Sequence, residues 1–278
     1  MDFEQVFSRQ YTVQAGRVEA HVAEAGAGPP LVLLHGNPDT HTVWSTTVAE
    51  LAAHHRCIAP DLPGFGRSVA PDDFDWALEN QGGYVRDLLD ALDLPRAHLA
   101  IHDVGGEFGL SFATLEPARV QSLTIFNTNF FPDTKWHFWA RVWRTRGFGE
   151  LAMAIANRPL FVRELRRGSP TMPLDYANHA YREFARTTKR TVLRWYRAMD
   201  PEVHRGWDER MRAATDHLPK QVIWGDLDPF LPAATAERFG GTVHRFADCG
   251  HWAMQEQPAR AAQLIAAHVA RASSRASA

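Results

Sequence analysis

Cysteine is scarce: Cys57 and Cys249 are the only two in 278 residues. That excludes a disulfide framework, and the expected setting is reducing and cytoplasmic. An excess of one charge is missing too. The formal net charge is −2, without the global field that would point to nucleic acid or a membrane surface. No apolar run nears the ~20 residues that span a bilayer. Residues Met1 to Val6 are charged early and hold no apolar h-region, so no secretory signal is expected. The fourteen histidines, including His54 and His55, are scattered without ligand spacing, and Gly105 and Gly106 do not complete a dinucleotide fingerprint. Neither metal nor cofactor is therefore expected. No internal repeat or low-complexity segment is visible.

Hydrophobic residues make up 45% of the chain, ample for a large core in one domain or one domain with an insertion. Tyr11–Ala15 and Arg17–Ala23 alternate around Gly16 and predict a hairpin. The apolar runs Leu31–Leu34, Cys57–Ala59, Ala97–Ile101, Ser122–Asn127, Gln221–Trp224 and Thr242–Phe246 predict further strands. Helices are expected at about Val43–Ala53, Tyr84–Leu92, Val104–Leu115, Ala233–Phe239 and Glu256–Arg271, with a frayed tail from Arg271. Between about 131 and 212 there is no strand signal. Helical segments are expected there at Trp136–Trp143, Phe148–Ala156, Leu174–Arg186 and Thr191–Met199. Lys and Arg number 17 in 131–212 and Asp and Glu 9, a net of +8, so the remainder carries −10. This shift marks an inserted helical unit whose basic surface reads as a solvated face. The expected fold is α/β: a mostly parallel sheet with helices on both faces, formed by 1–130 and 213–278, and a helical cap at 131–212.

The chain is organised around the stretch from Leu99 to Gly109. It begins as an apolar run and ends as the start of a helix, with Asp103 at the junction. Gly105 and Gly106 follow, as a sharp strand-to-helix turn requires. This is the layout of a nucleophile elbow, G-x-S-x-G, with Asp103 at the nucleophile position and Ile101 replacing the leading glycine. A carboxylate would form an unstable anhydride with an acyl group but a good ester with an alkyl carbon. Asp103 therefore reads as a nucleophile for saturated carbon; the alternative is an ordinary helix N-cap. Asp228 follows the strand Gln221–Trp224, and His251 follows Thr242–Phe246. Nucleophile, acid, histidine is a recognised chain order for a catalytic triad. Asp226 competes for the acid role, but Asp228 holds the fourth place of a G-x-x-D spacing.

Along nearly its whole length the chain resembles the α/β-hydrolase superfamily. The matching stretches are His35-Gly36-Asn37-Pro38, the loop Asp61 to Ser68, the elbow, Gly225-x-x-Asp228-x-x-x-Pro232 and Gly250-His251. Within it, the chain is similar to the aspartate-nucleophile branch, the epoxide hydrolases and haloalkane dehalogenases. The resemblance implies that Asp103 forms an alkyl ester, that His251 activates the water that hydrolyses it, and that Asp228 orients His251. Backbone N–H groups of Asn37 and Val104 would form the oxyanion hole. His35, Asn37, Trp136 and Trp139 would line the substrate and leaving-group pocket.

Epoxide opening needs a proton donor, and epoxide hydrolases are known for two cap tyrosines. The segment Arg194 to Ala198 resembles the one that carries one of them, so Tyr196 is the expected donor; the alternative is a core aromatic. No second tyrosine is found early in the cap, where Trp136, His137, Phe138 and Trp139 stand, and the role does not transfer to Tyr176 or Tyr181. Epoxide hydrolysis to a vicinal diol is the preferred expectation. Haloalkane dehalogenation is the rival: Asn37 matches the dehalogenase H-G-N-P, whereas Val104 replaces the tryptophan that commonly follows that nucleophile. A non-catalytic ligand-binding relative is the third reading. The expected partners are a small apolar epoxide or haloalkane and water, in a monomer or homodimer, without nucleic acid or membrane.

Overall fold

A computed structural model describes residues 2–184 and 188–276. Eight strands form one sheet: β1 (Arg9–Ala15), β2 (Val18–Ala25), β3 (Pro30–Leu34), β4 (Arg56–Pro60), β5 (Ala97–His102), β6 (Val120–Phe126), β7 (Lys220–Gly225) and β8 (Thr242–Phe246). Their order is β1-β2-β4-β3-β5-β6-β7-β8. The first two strands pair antiparallel, and β2 runs antiparallel to β4; every later pairing is parallel. The continuous apolar runs are the strands covered on both faces, as all six residues of β5 are.

Helices α1 (Ser45–Leu51), α2 (Leu78–Ala91), α3 (Val104–Leu115), α10 (Ala253–Glu256) and α11 (Pro258–Ala276) belong to the sheet. One core, under α2 and α3, includes Leu88, Phe108 and Phe112; the other, under α1 and α11, includes Trp44, Val48 and Ile265. A doubly wound sheet of this kind places its ligand crevice at the carboxyl ends of the strands.

Between β6 and β7 lie α4 (Phe138–Arg144), α5 (Phe148–Ile155), α6 (Arg158–Gly168), α7 (Leu174–Glu183), α8 (Lys189–Ala198) and α9 (Trp207–Thr215). No strand falls there among the described residues. The boundary expected at 212 cuts through α9, which packs on α3. Helix α6 lies where no helix is expected from the sequence, and its second residue is Pro159. Proline is tolerated in a first helical turn, and Asn157 caps the helix by accepting the Leu160 N–H at 3.1 Å. The segment expected to be helical at Ala233–Phe239 is a 3₁₀ run, and a 3₁₀ turn at His41–Trp44 precedes α1. Helix α11 continues through Ala276 instead of fraying from Arg271; the last two residues of that tail lie outside the described residues, as do the final positions of the helix expected to end at Arg186. No described helix is long and apolar enough to cross a membrane.

Candidate active site

The turn from β5 into α3 holds Asp103 at φ 48°, ψ −120°. Asp93 is the one other non-glycine residue with positive φ among those described, so the elbow carries backbone strain that its surroundings must hold. Those surroundings leave no room for larger residues. A Cβ on Gly105 would meet the His35 carbonyl oxygen at 2.4 Å, and one on Gly106 the Thr128 hydroxyl at 2.0 Å. Thr128 Oγ1 donates to the Asp103 carbonyl at 2.6 Å. The Asp103 side chain makes no helix-capping bond. It points to the cleft, where Oδ1 accepts the Asn37 N–H at 2.7 Å and Oδ2 lies 3.4 Å from His251 Nε2.

On the far side of the imidazole, His251 Nδ1–H donates to Asp228 Oδ2 at 2.7 Å. The same oxygen accepts Asn127 Nδ2 at 2.8 Å, and Oδ1 accepts the N–H groups of Phe230 and Leu231 at 2.7 and 3.2 Å. Every lone-pair direction that matters is used, so Asp228 is fixed as an acceptor. Asp226, its rival, instead pairs with Arg245 at 2.7 Å. Asn127 at the end of β6 was given no role by sequence. It ties β6 to β7 by accepting the Gly225 N–H at 2.9 Å while presenting its amide to Asp228. The cap braces the histidine loop: the His251 N–H donates to the Gly168 carbonyl at 2.8 Å and the Trp252 N–H to Ser169 Oγ at 2.8 Å.

Charge follows from this geometry. Burial disfavours the Asp103 carboxylate, yet the His251 hydrogen bond and charge outweigh it and hold the carboxyl at about 2. Burial also disfavours a charged His251, but the flanking Asp228 and Asp103 raise it to about 10. The two acids beside it thus favour the charged form of His251 in the resting centre.

Above Asp103 a cleft enclosing about 1190 Å³, mouth included, opens between sheet and cap. Of the residues expected to line it, Asn37, Val104, Trp136, Trp139 and Tyr196 do so. His35 does not. Its Nδ1–H donates to the Gly36 carbonyl at 2.8 Å and its Nε2 accepts the Leu62 N–H at 2.9 Å, a fully buried brace between two loops. Trp139 Nε1–H is spent on Glu164 at 3.1 Å, whereas the buried Trp136 Nε1–H has no partner among the described residues. Tyr196, on α8, is buried with its hydroxyl 3.3 Å from His137 Nε2 and hydrogen-bonded to the Asn37 side chain. Burial and the Asp103 charge keep the phenol protonated, its pKa well above the usual value. His137 had no assigned role. Its Nδ1 accepts the Ala140 N–H at 3.3 Å, capping α4, and burial holds the ring near 4. The neutral ring thus carries its proton on Nε2, directed at Tyr196.

Three histidine and aspartate side chains that looked scattered in sequence also meet. Ligand-type atoms of His21, His41 and Asp61 lie within 4.8 Å of one another. His41 and Asp61 are matched as ions: His41 Nδ1 is 2.9 Å from Asp61 and its Nε2 3.1 Å from Glu4.

A family profile described as the alpha/beta hydrolase fold matches residues 29–154. Over 119 residues the chain is 40% identical to the haloalkane dehalogenase of Agrobacterium fabrum, a match covering 43% of this chain and 39% of that enzyme. It is 27% identical over 265 residues to 2-hydroxy-6-oxo-2,4-heptadienoate hydrolase of Pseudomonas putida, covering 88% and 90% of the two. The structure superposes on the haloalkane dehalogenase DatA of Agrobacterium tumefaciens C58 with a TM-score of 0.74 at 27% identity, covering 95% of this chain and 97% of that one. Sheet order, elbow and these similarities lead to one conclusion: the chain has the α/β-hydrolase fold.

Proposed function

We propose that the protein hydrolyses an epoxide to a vicinal diol through an alkyl ester on Asp103. Asp103, ionised and strained at the elbow, attacks the less hindered oxirane carbon as the C–O bond breaks. Tyr196 gives its proton to the departing oxygen. The Asn37 N–H, and that of Val104 in the first turn of α3, then stabilise the oxyanion formed when water attacks the ester carbonyl. Esterification removes the Asp103 charge, one of the influences that hold His251 protonated. The imidazolium gives its proton up to restore the Tyr196 phenol, and the neutral imidazole then takes a proton from that water. Collapse of the tetrahedral intermediate passes the Asp103 carboxyl proton to the departing alkoxide and regenerates the resting centre.

The observation that carries this reading is the environment of Tyr196. Its oxygen receives the His137 Nε2–H and the Asn37 amide, which leaves its own proton free for the substrate oxygen. A donor whose proton moves suits an alkoxide; a halide needs none. Acyl chemistry is disfavoured by the anhydride that Asp103 would form. The two buried free cysteines suit a reducing, cytoplasmic setting.

Dehalogenation is the second reading. It is supported by the unpartnered Trp136 Nε1–H in the cleft and by the named activity of two relatives. A paired assay decides: diol release from terminal epoxides against halide release from haloalkanes. Tyr196→Phe is expected to lower both kcat and kcat/KM for the epoxide by at least ~10-fold, the low side of general-acid catalysis, with a smaller effect from Asn37→Ala. The reverse ranking, with halide release by the wild type, would make the protein a dehalogenase.

A further inference from the structure

One turn along α3 from Asp103 stands a second carboxyl that the proposed reaction does not use. Glu107 lines the same cleft and is 3% exposed. Its Oε1 makes a long contact, 3.5 Å, to His204 Nε2, and its Oε2 has no close hydrogen-bond donor among the described residues. No arginine or lysine pairs with it among the described residues. The neighbouring Gln81 side chain hydrogen-bonds the carboxyl only as a shared partner, because its amide nitrogen is also held by the Trp76 carbonyl at 2.7 Å and Met199 Sδ at 3.2 Å. A buried acceptor left in this state is costly, and the rest of the cleft wall is largely aromatic and aliphatic.

The companion histidine sets the sign of what could bind. His204 Nδ1–H donates to the Pro201 carbonyl at 3.1 Å, so Nε2 faces Glu107. Burial favours a neutral Glu107, while Glu107 outweighs burial in favouring a charged His204. With one proton between them the pair carries no net charge, whichever group holds it. Such a pair offers an acceptor oxygen to a neutral donor and gives a cation little to bind. A carboxylate-bearing substrate would face both Asp103 and Glu107.

We propose that Glu107, held by His204, is a polar subsite that selects substrates bearing a neutral hydrogen-bond donor, a hydroxyl or amide N–H, on the order of 5 Å from the reacting carbon, one helical turn away. The subsite names the substrate class of the reaction proposed above and rests on that reading: a hydroxylated epoxide in place of a plain alkyl epoxide.

The test is a ratio. kcat/KM is measured for short terminal epoxides with and without a hydroxyl at the far end, matched in carbon count. The same comparison is made with haloalkanes and the corresponding halo-alcohols. Wild type is expected to favour the hydroxylated partner by at least ~10-fold, as a site built for a hydroxyl rejects the analogue lacking it. Glu107→Leu should bring the ratio to near unity. Glu107→Gln, which keeps an acceptor oxygen, should retain much of it. A wild-type ratio near unity, or one unmoved in Glu107→Leu, overturns the subsite. So does a Glu107 whose replacement changes thermal stability but not the ratio, which would make it an internal brace to His204 and Gln81. If only the halogenated series reacts, the epoxide reading fails, and the same ratio read there still decides the subsite.

Discussion

In the proposed reaction two demands conflict at Asp103. The nucleophile must stay ionised in a site dry enough for its charge to act, and the base beside it must be neutral when its turn comes. The structure meets the first by placing His251 and the Asn37 N–H on the carboxylate. The second is met only after attack, when the ester no longer supports the imidazolium. Attack and hydrolysis should therefore separate in a variant without the base. His251→Gln is expected to react once and stall, and mass spectrometry should find the alkyl adduct on Asp103. Continued turnover with no adduct would remove both residues from the mechanism.

The elbow works as an element because α3 starts hard against the ends of β3 and β6. At Gly105 the close neighbours are backbone atoms, so its cost can be stated. Gly105→Ala places a methyl 2.4 Å from the His35 carbonyl oxygen and 2.6 Å from that of Leu34. Backbone cannot swing aside as a long side chain can. The variant should lose ~1–3 kcal/mol, the usual range for overpacking, read as a lower denaturant midpoint; an unchanged midpoint would show that the turn has slack. The loop after β4 is held in a similar way by charge. Asp61, its carboxyl kept well below the ordinary range despite burial, binds His41, which Asp61 and Glu4 hold up near 9. That clamp ties the chain before β1 to the loop bearing Asn37.

Across the whole molecule, cap and sheet meet beside the base at Asp39. Its Oδ1 accepts the Tyr176 hydroxyl of α7 at 2.8 Å, and its Oδ2 accepts Trp252 Nε1–H at 2.7 Å. Trp252 packs edge-on against His251 at 4.7 Å. Burial pushes the Asp39 carboxyl up to about 7 against these two donors. A carboxyl raised on folding contributes stability that is complete below its unfolded pKa, near 4, and lost as pH rises through the folded value. Asp39→Asn cannot ionise, and its amide can serve both partners, donating to Tyr176 Oη and accepting from Trp252. The difference in Tm between variant and wild type should move in favour of the variant as pH rises from about 4 to about 7. A difference that stays constant with pH would place the titration elsewhere.

The sequence by itself determined the sheet, the elbow and the order of the three catalytic candidates. Each rests on local pattern: apolar runs end at turns, glycines mark the point where a helix crosses a strand, and Asp103, Asp228 and His251 each fall just beyond a strand. Pattern also preferred Asp228 to Asp226, and the structure places Asp228 on His251. What only the tertiary structure decided lies where distant segments meet. His137 and Tyr196 are brought together by the crossing of α4 and α8, Asn127 meets Asp228 across two strand ends, Glu107 meets His204 beside α9, and Asp39 meets Tyr176 and Trp252. His35, adjacent in sequence to the loop that reaches the cleft, turns away from it. Helical period says which face of a cap helix is apolar. It does not say which helix that face will pack on, at what angle, or which polar group will be left facing the cleft.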